Sequence, residues 1–362
     1  MRAKKESQSP GFLAWQRFRS NKLGMLSLTF IVLVALLALF AYYIIPDPTP
    51  HANRQLLELS TRKPGFEVDM LMLAKDNPPP RVGFVERLLN GQPDECTYLP
   101  FDSIRVFEDH TLVYLFNPEA AGSVRVQEIP NEEILGTVHR KFLLGTDQFG
   151  RDFLSRLVLG SRISLVVGFI AVALSLVIGI FIGSLGGFFR GRVDDAVVWL
   201  INVVWSIPTL LLVIAITFAL GKGIGQVFIA VGLTMWVEVA RIVRGQIFSV
   251  REMTYVEAGK ALGFRNLRVI LRHILPNILN PIIVVSASNF ASAILLEAGL
   301  SFLGIGVQPP MPSWGSMIKE NYAFIILDAA YLAILPGIAI MLLVLAFMLV
   351  GNALRSAIDN GN

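Results

Sequence analysis

The chain has 362 residues, of which 54% are hydrophobic and 16% charged, with a formal net charge of +4 and a mean hydropathy of +0.61. Soluble globular proteins average roughly 45–50% apolar and 25% charged residues, so this composition excludes an ordinary soluble globule and indicates a membrane protein. A lone cysteine, Cys96, excludes an internal disulfide, and the histidines at 51, 110, 139 and 273 lack the spacing of a metal site. We therefore expect no metal and no cofactor in this chain.

A basic segment, residues 1–22, precedes the first apolar stretch. It carries six basic side chains against one acidic side chain, Glu6. Because basic residues are retained on the cytosolic side of a membrane, we expect this segment to be cytosolic. The apolar stretch at 24–45 is long enough to cross a bilayer, and residues 42–46 do not resemble a signal-peptide cleavage site. Residues 23–46 are therefore predicted to form an uncleaved first transmembrane helix.

The next segment, residues 47–143, is polar and is expected to lie outside the cytoplasm. Apolar and polar residues alternate in Ser103–Phe107 and again in Thr111–Phe116, with a short polar stretch between them. This pattern predicts a β-hairpin. Two roles stay open for the segment: a surface that receives a substrate-delivering protein, or an insertion that caps the mouth of a pore.

Five further apolar stretches have the length of a membrane crossing, near 164–187, 196–220, 226–245, 281–304 and 330–351. The predicted fold class is thus an all-α polytopic membrane protein with six transmembrane helices and a partly β insertion between the first two. We expect residues 144–352, with the second to sixth helices, to form one membrane core and residues 353–362 to form a cytosolic tail. The stretch from Arg241 to Asn280 carries seven basic and two acidic residues, which predicts a cytosolic loop at 248–280.

Small residues recur at every fourth position of the second apolar stretch: Ser175, Gly179, Gly183 and Gly187. This spacing lets helix backbones approach closely in lipid. Packing within the chain and an interface with a second subunit are both compatible with it. In the third and sixth stretches, Pro208 and Pro336 are predicted to kink or break the helix.

Residues 255–276 are charged and helix-forming, and they lie between apolar stretches. Glu257 to Leu262 predict one short helix, which a positive φ at Gly263 would end. Leu267 to Ile274 predict a second helix, which Pro276 would terminate. The spacing of Glu257-Ala258-Gly259, Gly263 and Leu275-Pro276 resembles the EAA loop of ABC importer permeases.

Three other motifs narrow the resemblance to the C-type subunit of dipeptide and oligopeptide ABC importers. They are Trp15–Leu23, Leu144–Arg156 with Gly160–Leu165, and Leu296–Gly315. The resemblance implies that the 255–276 segment docks onto a cytosolic ATPase, through Glu257, Ala258, Gly259, Ala261, Gly263 and Arg265. The chain departs from the general pattern at Gly259, where alanine is usual, and at His273, where a branched apolar residue is common.

Two acidic residues at membrane depth need a partner or water, because an isolated charge there is costly. For Glu297 two roles stay open. It is expected either to line a translocation path or to form a buried ion pair, with Arg162 as the candidate partner. Glu238 is expected to be neutralised by Arg241, which lies three residues further along the same helix.

The resemblance also implies protein partners: a second homologous permease, two ATPases that hold ATP and Mg²⁺, and an extracytoplasmic binding protein. It places the chain in the prokaryotic inner membrane. We expect no nucleic-acid partner. No phosphate-binding G-x-x-x-x-G-K-[ST] loop is present, so we expect this chain not to be an enzyme. Di- or oligopeptides are the expected substrates, while nickel, glutathione and antimicrobial peptides stay open. A membrane scaffold or receptor that recruits a cytosolic partner without transport is the alternative from a different class.

Overall fold

The computed structural model describes residues 10–117, 125–221 and 223–359. The first part of the predicted cytosolic segment and the last three residues of the predicted tail lie outside these ranges. Within them the chain forms two compact units. One comprises residues 10–34, 164–308 and 338–359, and the other comprises residues 35–163 and 309–337.

The α-helices are, in chain order, α1 (Pro10–Ser20), α2 (Lys22–Leu39), α3 (Ala41–Ile44), α4 (Phe84–Asn90), α5 (Phe153–Phe189), α6 (Gly191–Trp205), α7 (Thr209–Leu220), α8 (Ile224–Val250), α9 (Thr254–Ala261), α10 (Asn266–Val269), α11 (Leu279–Phe302), α12 (Trp314–Asn321) and α13 (Tyr331–Asp359). Among the described residues, five helical stretches are long and apolar enough to cross a membrane. They are α2, α5, α8, the run from Asn266 to Phe302, and α13. The bent pair of α6 and α7 adds a sixth if it counts as one span.

The predicted third crossing, at 196–220, is not one continuous helix. α6 ends at Trp205, α7 begins at Thr209, and the two are bent by 91°. Pro208 precedes the first residue of α7 and has an extended ψ of 124°. Because proline has no amide hydrogen, it cannot continue the hydrogen bonding of α6. The predicted break at Pro208 is therefore confirmed, whereas Pro336 lies inside α13, which continues as an α-helix through it.

A five-stranded antiparallel sheet forms in the second unit. Its strands are β1 (Phe66–Ala74), β2 (Cys96–Val106), β3 (His110–Leu115), β4 (Val126–Pro130) and β5 (Ile134–Phe142), in the spatial order β4-β3-β2-β1-β5. β2 and β3 pair with Val106 opposite Thr111, so the predicted hairpin is confirmed. Cys96 is buried at the start of β2 as a free thiol.

The small-residue stripe of α5 packs against α8 of the same chain. An added Cβ on Gly179 would lie 2.5 Å from the Val239 Cβ, and one on Gly183 would lie 2.5 Å from the Ala240 carbonyl oxygen. An added Cβ on Gly187 would lie 2.8 Å from the Ile247 Cβ. Ser175, the first residue of the stripe, is fully buried. These contacts favour packing within the subunit over an interface with a second one.

Candidate functional site

The segment that resembles the EAA loop begins directly after α8. Residues 251–253 form a turn, α9 follows, and the Met253 carbonyl accepts hydrogen bonds from the amides of Val256 and Glu257. Gly263 has a φ of +79°, a conformation that favours glycine, and its amide donates to the Lys260 carbonyl at 2.9 Å. The predicted short helix and its termination at Gly263 are therefore confirmed.

The second half of the segment differs from the prediction. α10 continues through a π-type turn, Ile270–Ile274, and a 3-10 turn, Leu275–Ile278, into α11. Pro276 does not terminate this helical path. It lies in the first turn of the 3-10 helix, where the amide that proline lacks would have no helical partner. The predicted separate second helix is thus an extension of α11.

Buried aliphatic side chains fix the segment to the long helices beneath it. Val256 of α9 is fully buried in the same cluster as Val243 and Ile247 of α8 and Ile282 of α11. Further members come from the helical path before α11: Val269, Ile270, Ile274 and Ile278. Full burial of such a side chain contributes roughly 1.5–3 kcal/mol. A displacement of α9 would therefore act on α8 and α11 together.

The six predicted coupling residues divide by exposure. Five of them lie on the surface: Glu257, Ala258, Ala261, Gly263 and Arg265. Gly259 is buried, and an added Cβ there would lie 3.3 Å from the ring of Phe264. Gly259 therefore shapes the loop from inside and does not belong to its outer surface.

Phe264 was not singled out from the sequence, although it contacts both positions where the chain departs from the general EAA pattern. Its ring packs beside Gly259 and stacks on the ring of His273, with centroids 5.7 Å apart and an interplanar angle of 14°. The Arg268 guanidinium lies 4.4 Å from the Phe264 ring centroid. The signal available in the sequence was an aromatic residue directly after Gly263. A ring of this size fills the space beside Gly259, which has no side chain.

Charged side chains connect the segment to the end of α5. Arg190 donates to Glu252 at 2.5 Å and thereby lowers the pKa of that carboxyl group. Arg251 donates to the Phe188 carbonyl oxygen, and the Lys260 ammonium lies 5.1 Å from the Phe188 ring centroid. Partial burial, followed by the nearby Arg251 charge, lowers the pKa of Lys260.

The two residues of the predicted ion pair have other neighbours. Glu297 is fully buried in α11 and accepts a 2.7 Å hydrogen bond from the Ser301 hydroxyl. Arg162 donates to the Leu89 carbonyl at 3.1 Å, and its guanidinium lies 5.6 Å from the Tyr42 ring centroid. The full burial of Glu297 favours a structural role over a place on a water-filled path.

Glu238 and Arg241 are not paired as expected. The Arg241 guanidinium lies 3.3 Å from the centroid of the Trp205 ring. Within the described part of the chain, Glu238 makes no hydrogen bond or ion pair, and its side chain is exposed. It lines a cavity of about 680 Å³ that sequence reasoning missed. The i, i+3 spacing had suggested an internal pair, but a cation–π contact with Trp205 replaces it.

Comparison with known proteins gives two matches along the chain. Residues 9–60 match the N-terminal transmembrane domain of oligopeptide transport permease C, and residues 161–361 match the binding-protein-dependent transport system inner membrane component family. The chain belongs to this family of inner membrane components. It is an ABC importer permease component, and the resemblance to the dipeptide and oligopeptide permeases is confirmed. Residues 61–160, with the five-stranded sheet, lie between the two matched ranges.

Individual relatives carry peptide-transport names. The permease is 38% identical over 248 residues to the dipeptide transport system permease protein DppC of Alkalihalophilus pseudofirmus, covering 68% of this chain and 81% of the relative. It is 41% identical to the di/tripeptide permease DppC of Pseudomonas aeruginosa, covering 60% of this chain and 72% of the relative. It is 38% identical to the glutathione permease GsiD of Pectobacterium atrosepticum, covering 60% and 71%. A solved inward-facing structure of the MetNI methionine ABC transporter aligns with 56% of this chain and 97% of its own, at 18% identity and a TM-score of 0.47.

Proposed function

We propose that this permease forms half of a peptide translocation pathway and that a second homologous permease supplies the other half. Two partner ATPases would hold ATP and Mg²⁺, and an extracytoplasmic binding protein would deliver the substrate. The observation that carries the proposal is the arrangement of α9. Its exposed side presents Glu257, Ala258 and Ala261, while its buried side packs on α8 and α11. A force applied to the exposed side would reach two long helices at once.

The proposed substrates are di- or oligopeptides. The names of the relatives refer to dipeptides, di- and tripeptides, and glutathione. Glutathione is itself a tripeptide, so these names share one chemical class. Short peptides carry an amino group and a carboxylate, which a pathway can recognise independently of side chains.

The proposed topology has six crossings, with the bent α6 and α7 counted as one. Both termini and the 248–280 loop would then be cytosolic, as the basic residues between Arg241 and Asn280 indicate. The five-stranded sheet would lie outside, near the delivery of substrate. ATP hydrolysis is assigned to the partners because the sequence has no phosphate-binding loop.

The test is reconstitution of the complete transporter in proteoliposomes with its binding protein. We expect ATP-dependent uptake of a radiolabelled tripeptide, together with faster ATP hydrolysis when the binding protein is loaded. Normal assembly with neither uptake nor stimulation would contradict the proposal and favour a membrane scaffold or receptor.

A further inference from the structure

A polar cavity opens within the first unit, away from the α9 surface. It is lined by α1, α8, α11 and the last turns of α13, and its volume is about 680 Å³. Small-molecule sites in proteins typically have volumes of about 300–1,000 Å³. The cavity is therefore large enough for a short peptide.

Glu238 is the acidic group in this cavity. It lies seven residues inside the cytosolic end of the predicted crossing at 226–245, which corresponds to about 10 Å along the helix. An ionised carboxylate at such a depth is costly in lipid, and it normally faces water or an opposite charge. Arg241 does not supply that charge, because it stacks on Trp205. Glu238 is thus available to a cation that enters the cavity.

Two arginines line the same cavity toward the start of α11, because Phe347 stacks on Phe290 and Gly351 lies beside Ala287, so α13 runs antiparallel to α11. Arg17 comes from α1, and Arg355 comes from the last turns of α13. The Arg17 Nη1 atom is held 3.4 Å from the Ala357 carbonyl oxygen. Polar side chains complete this end: Gln246, Asn277 and Asn280. The cavity therefore has a negative charge at one end and positive charges at the other.

The distance between these ends sets a length for the ligand. Glu238 and Gln246 both line the cavity and are eight residues apart in α8, which corresponds to about 12 Å of helix rise. Fully extended chains span at most about 3.3–3.6 Å per residue. A ligand that reaches from Glu238 to the arginine end has the length of a peptide of three or four residues.

We propose that this cavity binds the zwitterionic backbone of a short peptide on its way to the cytosol, with the ammonium group at Glu238 and the carboxylate at Arg17 and Arg355. The inference rests on the proposed transport function and adds the residues that recognise the two peptide ends. Such recognition depends on the termini, so it accepts many side chains.

The test uses the assembled transporter in inside-out vesicles without nucleotide, so that the binding protein takes no part. Cys96→Ala removes the native thiol, and Ser288→Cys places a reporter on the exposed wall of the cavity. We expect a membrane-impermeant thiol reagent to label this reporter from the cytosolic side. Trialanine should slow the labelling, whereas N-acetyltrialanine and trialanine amide should protect much less.

Glu238→Gln should weaken the protection by trialanine about tenfold, which corresponds to about 1.4 kcal/mol, because the neutral amide loses the attraction between the carboxylate and the peptide ammonium. The same variant should bind trialanine and N-acetyltrialanine nearly equally. Arg17→Gln combined with Arg355→Gln should remove the preference for trialanine over its amide. The matched control is Asp195→Asn, which neutralises an exposed acid on α6 outside the cavity and should leave protection unchanged.

An unlabelled Ser288→Cys reporter, or equal protection by the three peptides, would overturn the inference. Uptake of trialanine by the same complex with its binding protein separates the two proposals. Uptake without cavity protection rejects this site alone, whereas protection without uptake rejects the transport function.

Discussion

Arg151 donates through Nη2 to Oε2 of Glu320 at 2.8 Å and joins the segment before α5 to α12. Its Nε also donates to Oδ2 of Asp147 at 2.7 Å, and Arg151 and Asp147 are both almost completely buried. Arg156 lies beside the same carboxylates. Asp147, Arg151 and Arg156 all belong to the sequence motif Leu144–Arg156. The structure buries them inside the second unit, where each charge is stabilised by its ion-pair partners.

Glu320→Ala should destabilise this unit strongly. It leaves the buried Arg151 charge without one of its two carboxylates, and breaking a buried pair costs about 3–5 kcal/mol. Thermal unfolding of the purified complex measures the effect. Lys63→Ala is the matched control, because it breaks the exposed Lys63–Asp328 pair, which water screens and which contributes little to stability. Equal losses of stability for the two variants would contradict a special role for the buried pair.

Gly263→Val should weaken the coupling between the permease and its ATPases without impairing membrane insertion. An added Cβ at Gly263 meets no atom within 4 Å, so the cost comes from the φ of +79°, roughly 1–2 kcal/mol for an L-residue. Peptide uptake and substrate-stimulated ATP hydrolysis should fall at equal membrane abundance. Gly263→Asn is the control, because asparagine tolerates this conformation and should retain more activity. Full activity of the valine variant would remove Gly263 from the coupling residues.

Glu257→Arg tests the exposed side of α9. The side chain is exposed, so thermal stability should change by less than about 0.5 kcal/mol. Copurification of the ATPase and substrate-stimulated hydrolysis should decrease, because the charge facing the proposed partner is reversed. Wild-type uptake by this variant would show that Glu257 does not couple the two proteins.

Cysteine labelling should report the proposed topology. In a Cys96→Ala background, Ser20→Cys and Asn266→Cys should react only from the cytosolic side, and Ser103→Cys on β2 only from outside. Cys96 itself is unsuitable, because it is 8% exposed. Labelling of Asn266→Cys from outside would reject the topology, since the coupling segment could then not reach a cytosolic ATPase.

His139 should make the β1–β5 pairing depend on pH. Its Nδ1 lies 2.8 Å from Oδ1 of Asp69 and its Nε2 lies 3.5 Å from Oε2 of Glu67. The Asp69 carboxylate, with help from Glu67, raises the pKa of His139 above its ordinary value of 6.5. A group whose pKa is raised on folding contributes its stability below the unfolded pKa and loses it as the pH rises through the folded one. The contribution should therefore be complete below about pH 6.5 and be lost only as the pH rises from there through the raised pKa of folded His139.

NMR titration with labelled histidine measures this pKa, and His139→Gln assigns the signal. Asp69→Asn should lower the pKa toward the ordinary value. A pKa at or below 6.5 in the unmodified protein would contradict the ion pairs across β1 and β5.

Local sequence patterns were enough to predict the positions of several helices, one hairpin and one helix end. The apolar stretches predicted the positions of α2, α5 and α8, because crossing a membrane requires a continuous run of apolar residues. The alternation in 103–116 predicted the β2–β3 hairpin, and Gly263 predicted the end of α9. Each of these features depends on residues close together in the chain, so the sequence contains the information in one place.

Contacts between residues far apart in the sequence decided which side chains pair and how the chain continues around Pro276. Arg151 is buried because Glu320 approaches it from 169 residues further along the chain. Arg241 turns away from Glu238 because the break after α6 brings Trp205 within reach of its guanidinium. Pro276 continues the path into α11 because buried side chains such as Ile274 and Ile278 hold that path against α8. In each case a tertiary contact outweighed the local preference, since one buried charge or aliphatic side chain is worth more than the propensity of a single residue.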